Sequence, residues 1–333
     1  MRIVLLVLFA LLSMNSVAHT WDEPWHEQVV KGANSFSLFK VKENSNYKLK
    51  LSLIKHIAGE KAEGSIIVDD YYLYNIASTS SSPDEHGFGL TKDQLVYVYL
   101  RKQGDKYKIA TPTSGYSEIQ DNGTVAATYR HSLHKAQVEK KIYEATQECI
   151  FNAISGACCS DITINEYILK PLGQQVSVLS PTATKEDFDL FFKQHVALET
   201  AYLIQYPLPD KVLLPFIQSG FFHTEISAIR ALAASDNHNT ESKLISFVTK
   251  GSGSDIAKVM AILMLDRLNY KSTAALSEYL EKASDEEVSL AGDFMDPRVG
   301  TWFPRSVKKS IEWFVEKNSL RKETQTESRD LND

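Results

Sequence analysis

The sequence predicts an α+β chain of two domains, a small antiparallel β-barrel followed by an α-solenoid-like array of helices. Three observations predict it. Apolar residues recur with period two from about Val29 to Arg130. From Leu133 onward the period is helical. Beyond residue 207 one apolar triplet returns at steps of 31, 32 and 35 residues, the spacing of helix pairs that can bury their apolar faces only on one another.

The first segment is a targeting signal. Arg2 precedes the apolar run Ile3 to Leu12, and Ser16 and Ala18 supply small residues at −3 and −1. The run falls short of the roughly 20 apolar residues that span a bilayer. The pattern therefore predicts cleavage of residues 1–18, a mature start at His19, and a soluble product exported to the periplasm or extracellular space.

The strand-rich part follows. Phe36, Leu38, Phe39 and Val41 form one run, and Tyr47, Leu49, Leu51 and Leu53 alternate with Lys48, Lys50 and Ser52. Ile66 to Ile76 is rich in aliphatic and tyrosine residues, a Ser- and Gly-rich loop spans Ser78 to Gly89, and Leu95 to Leu100 is a further strand. Gln103-Gly104-Asp105 and Asn122-Gly123 are hairpin turns. Six or seven short strands so spaced predict a small barrel or sandwich.

Leu53 to Glu60, Val96 to Leu100, Gly104, Tyr107 and Ser114-Gly115-Tyr116 together resemble the strands of netrin-like OB barrels, the fold of tissue metalloprotease inhibitors, over residues 29–130. Those inhibitors chelate a protease metal through a cysteine at the mature N-terminus. Here that position is His19, so the resemblance implies a fold and not inhibition.

In the helical part, Val138, Ile142, Ala145, Cys149 and Ile150 place one helix over residues 133–154, and Thr184 with Asp187 caps another running to Gln205. The recurring triplet is Leu213/Phe216/Ile217, Leu244/Phe247/Val248, Leu276/Tyr279/Leu280 and Ile311/Phe314/Val315. Second amphipathic stretches lie between the copies: Ile226, Ile229 and Leu232, then Ile256, Val259, Met260, Leu263 and Met264. Gly220, Gly251 and Gly253 mark the turns. With Pro215 inside a first helix, residues 207–317 resemble a short HEAT-type array, its last copy interrupted by Asp296-Pro297-Arg298, Gly300 and Pro304. The organisation read from the chain is a signal peptide at 1–18, a barrel at 19–132, a helical connector at 133–206, helical repeats at 207–317 and a polar, frayed tail at 318–333.

Composition excludes several function classes. The 333 residues carry 36 Lys+Arg and 42 Asp+Glu, a formal net charge of −6, and a mild acidity of this kind argues against nucleic acid or an anionic surface as a bulk partner. No stable membrane insertion is expected once the signal is removed. Export permits disulfides, and the three cysteines predict one bond from Cys149 to either Cys158 or Cys159.

Sites of chemistry are sparse. His131 and His134 have the spacing of two metal ligands on one helical turn, but no third or fourth ligand is identifiable. Asp69 and Asp70 with Glu85 and His86 could supply acid–base or calcium oxygens, although no EF-hand spacing exists, and a hydrated strand end reads better. Tyr71, Tyr72, Tyr74, Tyr97 and Tyr99 read as core and cross-strand packing rather than a stacking groove. Gly251-Ser252-Gly253-Ser254 reads as a repeat turn with a helix cap, and Asn122-Gly123-Thr124 is a glycosylation sequon that matters only in a eukaryotic secretory pathway. No nucleophile elbow, zinc-protease motif, phosphate loop or dinucleotide fingerprint occurs, so no catalytic, metal or cofactor residue is assigned, and no cofactor. The expected function is that of an exported, non-catalytic protein-binding or scaffold protein whose partner is another protein. The competing expectation is a metal-dependent hydrolase with its site in the interdomain cleft.

Overall fold

A computed structural model describes residues 25–45, 48–69, 90–109, 115–130, 135–234, 239–288 and 304–330. The segment read as a signal (residues 1–18), His19, Tyr47, Asp70 to Gly89, Ser114, His131, His134, Asp296-Pro297-Arg298 and Gly300 lie outside them.

The N-terminal half is a closed five-stranded barrel. A short helix, α1 (His26–Lys31), leads into β1 (Ser35–Ser45), β2 (Lys48–Gly59), β3 (Ser65–Asp69), β4 (Leu95–Gln103) and β5 (Lys106–Lys108). The order β1-β2-β3-β5-β4 closes because β1 pairs with β4 as well as with β2. Every pair in the barrel is antiparallel except β3–β5, where Val68 lies beside Tyr107 on a parallel strand. From the far side of β4 the sheet continues through β6 (Tyr116–Ile119), β7 (Thr124–Thr128) and β8 (Lys135–Glu139). The two hairpin turns read from the sequence carry Gly104 and Gly123 at φ of 60° and 80°, a region that glycine enters at no steric cost.

Strand β4 has two buried faces. Val96, Val98 and Leu100 fill the barrel with Phe39, Val41, Leu49, Leu51 and Val68. Tyr97 and Tyr99 point the opposite way into a second core shared with the helices, so both tyrosines are packing residues. Strand β1 changes sides: Phe36 and Leu38 belong to the helix-facing core, whereas Phe39 and Val41 face the barrel interior. A register shift between Leu38 and Phe39 makes the switch, and it accounts for the broken alternation of that run.

The segment read as one helix from residue 133 is a strand and then a helix. In β8, Ala136 and Val138 are buried between exposed or half-buried neighbours, a period-two pattern, and only from Lys140 does α2 (Lys140–Ile154) begin. Likewise Val29 and Val30, placed at the start of the strand region by their apolarity, sit on α1. Three short helical turns, Asp161–Thr163, Ile164–Leu169 and Lys170–Leu172, lead to α3 (Lys185–Leu203). Its cap is the one the sequence indicates: Thr184 Oγ1 accepts from the Asp187 amide at 3.2 Å, and Asp187 Oδ2 accepts from the Thr184 amide at 2.8 Å.

The helix pairs follow: α4 (Asp210–Ile217) with α5 (Phe222–Ala233), then α6 (Thr240–Lys250) with α7 (Asp255–Arg267), then α8 (Ala274–Tyr279). The last helix, α9 (Val307–Asp330), packs on α7 and α8. All four apolar triplets fall on helices or their 3₁₀ extension, and Pro215 lies inside α4. The backbone of α9 is helical as far as Asp330, into the segment read as a frayed tail; a polar composition removes a buried face, not helical propensity. Helix α5, buried around its whole circumference from Thr224 to Ala233, packs on α3, α4 and α7. Among the described residues no helix is long and apolar enough to cross a membrane.

Candidate functional site

Two places in the described molecule bring polar and apolar groups together in the way a site requires. The first is a buried charge cluster where the barrel meets the helices. Glu199 on α3 is fully buried; its Oε2 accepts from Arg230 Nε on α5 at 2.8 Å, and its Oε1 lies 3.5 Å from Arg130 Nη1 at the end of the sheet. Ser227 Oγ donates to Glu199 Oε1 at 2.8 Å and lies 3.1 Å from His195 Nδ1. The Arg230 guanidinium stacks on Tyr202 and Trp25, with ring centroids 4.1 and 4.9 Å from its central carbon. Beside it, Arg267 of α7 pairs with Glu27 of α1.

A serine, a histidine and a carboxylate so close together invite comparison with a nucleophilic triad, and the hydrogen bonding decides against it. The Ser227 proton goes to Glu199, while Arg130 Nη1, 3.3 Å away, donates to Ser227 Oγ. His195 Nδ1 then faces Ser227 as a donor and cannot act as its base. Ser227 is moreover sealed inside α5, where no substrate reaches it. Burial holds the imidazole of His195 well below its ordinary pKa, helped by the charge of Arg130. Burial also lowers Arg130 to about 10, with Glu199 opposing and Arg230 reinforcing the fall. The cluster is a clasp: one carboxylate from the helices holds one arginine from the sheet and one from the next helix.

A second polar knot supports it. The ring of His26 on α1 bonds Gln147 Oε1 on α2 at 2.7 Å, and Tyr99 OH of β4 donates to the same oxygen at 2.5 Å. Tyr129 OH and Thr146 Oγ1 lie 2.5 Å apart. Burial lowers the His26 pKa to about 4 and raises the phenols of Tyr99, Tyr129 and Tyr143.

The second place is an open groove of about 420 Å³ between α4 and α6. Leu213, Leu214, Ile217 and Phe247 form its apolar part, and Lys243 and Lys250 flank it. Leu214 is 48% exposed although it sits among apolar neighbours. Lys243 Nζ crosses to both carboxylate oxygens of Asp210, at 2.6 and 2.8 Å, and ties the two helices at one end. At the other end Gly251-Ser252-Gly253 closes over Phe247: a side chain at Gly253 would run into the phenyl ring. The residues read as a turn and cap are thus a turn whose glycines are needed for close approach. Ser254 occupies the N-cap position of α7, but its hydroxyl donates to Glu225 of the preceding pair rather than capping the helix.

Of the residues singled out in the sequence, Cys149 and Cys159 form the disulfide, with Cα atoms 4.8 Å apart, and Cys158 is a free, exposed thiol. Asp69 ends β3, and its proposed companions Asp70, Glu85 and His86 lie outside the described residues, as do His131 and His134. Among the described residues no three His, Cys, Asp or Glu side chains are grouped to hold a metal ion. The clasp escaped the sequence reading, yet it left a trace: Glu199 and Arg230 are single charges within otherwise uncharged helical stretches, Val196 to Leu203 and Ile226 to Ala233. Compared with family models, curated proteins and solved structures, the chain matches none of them.

Proposed function

We propose that this chain is an exported binding protein whose helical half presents the groove between α4 and α6 to a segment of another protein. The observation that carries this reading is the groove itself: an apolar floor with Leu214 48% exposed, flanked by lysine, on a scaffold held rigid from behind by α5. Such a groove suits a peptide with one apolar anchor for Leu214 and Phe247 and one carboxylate for Lys250.

The repeat organisation supports the HEAT-type reading of this half. Side-chain bonds join residues one repeat apart across successive pairs: Glu199 to Arg230 at a separation of 31, Asp210 to Lys243 at 33, Glu225 to Ser254 at 29 and Glu241 to Ser272 at 31. Bonds of this separation join neighbouring helices along the array, in keeping with the nearest-neighbour construction of a solenoid. The strand order β1-β2-β3-β5-β4, closed by β1–β4 and by a parallel β3–β5 contact, supports the OB-type reading of the barrel. The Cys149–Cys159 disulfide supports an oxidising destination, in line with the signal pattern at residues 1–18.

The test is site-specific photocrosslinking in the producing cell, with the probe at Leu214 or Ser246 in the groove and at Val178 as an exposed control. The reading predicts one partner captured from the groove positions, absent at Val178, and lost when Lys250→Glu is added. Capture that is equal at all three positions would refute it. Saturable hydrolase turnover dependent on bound metal would instead establish the enzymatic alternative.

A further inference from the structure

Four helices end at one place. Helix α2 stops at Ile154, α3 at Leu203, α5 at Ala233 and α7 at Arg267. Their last residues, with Glu27 and Lys31 of α1, line an open cavity of about 460 Å³, within the roughly 300–1,000 Å³ of small-molecule sites. It shares no lining residue with the groove between α4 and α6.

The chemistry of the cavity follows from what lines it. A helix C-terminus carries roughly half a negative charge and up to four carbonyls without intrahelical partners, so these ends make a negative, acceptor-rich wall. On α3 the capping bonds from the Gln205 and Tyr206 amides go to the carbonyls of Tyr202 and Ala201; among the described residues those of Leu203 and Ile204 take no donor. Glu27 and Lys31 lie one turn apart on α1 and put a carboxylate and an ammonium on the same cavity. Glu27 is 6% exposed and turned to Arg267, whereas Lys31 is exposed. Ile154, Leu203, Leu268 and the ring of Tyr202 supply apolar surface.

Gln205 is the informative residue. Its φ is 55°, a left-handed conformation in which glycine caps a helix at no steric cost. The matching position after α7 holds Asn269 at φ 57°, a residue type that tolerates this region, whereas glutamine has no such local compensation. The chain thus keeps a long amide at the cavity where glycine would suit the backbone better. Its Nε2 donates to the Tyr202 carbonyl at 2.7 Å, which leaves Oε1 as an acceptor.

We infer that this cavity binds a free α-amino acid with an apolar side chain. The α-ammonium is held by the carbonyl ends of the helices and Gln205 Oε1, near Glu27; the α-carboxylate pairs with Lys31; the side chain packs on Ile154, Leu203 and Leu268. Two features select a zwitterion. The helix ends disfavour an anion alone, and Lys31 beside them disfavours a cation alone. Opposite charges one turn apart on α1 match the two charges that an amino acid carries on a single carbon.

Calorimetric titration of the purified protein with leucine, methionine and phenylalanine, each as the free amino acid, tests the inference. At least one should bind. Its amide and its deaminated acid, which each keep one charge, should bind at least about tenfold more weakly, as loss of a charge-assisted bond implies. Lys31→Gln should weaken binding about tenfold and Gln205→Gly about fivefold. Gln205→Gly should also leave the melting temperature unchanged or higher, because it relieves the backbone; a merely structural glutamine would show no loss of affinity. Lys250→Glu, in the groove, should bind the amino acid as the parent does, so this inference and the groove reading fail separately. Binding of none of the three, equal binding of the amide or of the deaminated acid, or an unchanged affinity in either Lys31→Gln or Gln205→Gly overturns the inference.

Discussion

Replacing Glu199 with glutamine should be among the most damaging single-atom-scale changes in this protein. The carboxylate touches Arg230 at 2.8 Å and Arg130 at 3.5 Å, and all three side chains are buried. At an effective permittivity of about 20, such contacts are worth roughly 6 and 5 kcal/mol before desolvation is charged against them. Removing one partner of a buried pair costs about 3–5 kcal/mol, because it strands uncompensated charge. Glu199→Gln strands two guanidiniums, whose Arg130 Nε and Nη2 and Arg230 Nη1 and Nη2 already lack acceptors. At about 2–3 °C per kcal/mol for a chain of this size, the melting temperature should fall by about 6–15 °C. Arg130→Met is the informative comparison. The cluster holds two cations for one carboxylate, so this change leaves a balanced Glu199–Arg230 pair and removes two unpartnered nitrogens. Its cost should be under half that of Glu199→Gln, read by calorimetry and by urea titration of both variants. If Arg130→Met proves as destabilising as Glu199→Gln, packing rather than charge balance holds the junction and the reasoning fails.

Three other outcomes are expected. Cys149→Ser should lower stability by about 3 kcal/mol, from a crosslink of sequence separation 10, whereas Cys158→Ser should leave the urea midpoint unchanged. His26 has its folded pKa lowered to about 4 from 6.5, so between those values the unfolded chain binds a proton that the folded chain does not. Stability is therefore complete above about pH 6.5 and falls toward pH 4, by about 2 kcal/mol from this residue at pH 5; a pH series of urea midpoints should show the decline, and His26→Gln should remove this residue's share of it, leaving the shares of His195 and His223. Gly59 combines φ of 74° with a close approach to Phe151, whose Cζ would lie 2.6 Å from an added Cβ; Gly59→Ala should cost about 2–4 kcal/mol by thermal unfolding.

Much of the architecture was legible because its signals are local. Period-two runs, two glycine turns and four spaced triplets are set by neighbours a few residues apart, and they appear as strands, hairpins and helices. The disulfide was legible to within one residue, since Cys158 and Cys159 are adjacent and only the turn after α2 decides which sulfur faces Cys149. The clasp was not legible, because Arg130, Glu199 and Arg230 come from three elements that only the tertiary fold brings together. Strand β8 was misread because its apolar Val138 also fits the helical spacing of the following turns.

The double burial of β4 carries a consequence for how the chain is made. Its outward face, Tyr97 and Tyr99, is covered by residues of α2, while Trp25, ahead of α1, waits for Arg230 on α5. Residue 230 is synthesised more than a hundred residues after β4 is complete. At roughly 5–20 residues per second, the nascent chain goes for several seconds or longer with Trp25 unclasped and the barrel's flank only partly roofed. During that interval the growing chain is a substrate for holding chaperones, and a ribosome paused between codons 154 and 222 would prolong its vulnerability to aggregation far more than one paused after codon 230.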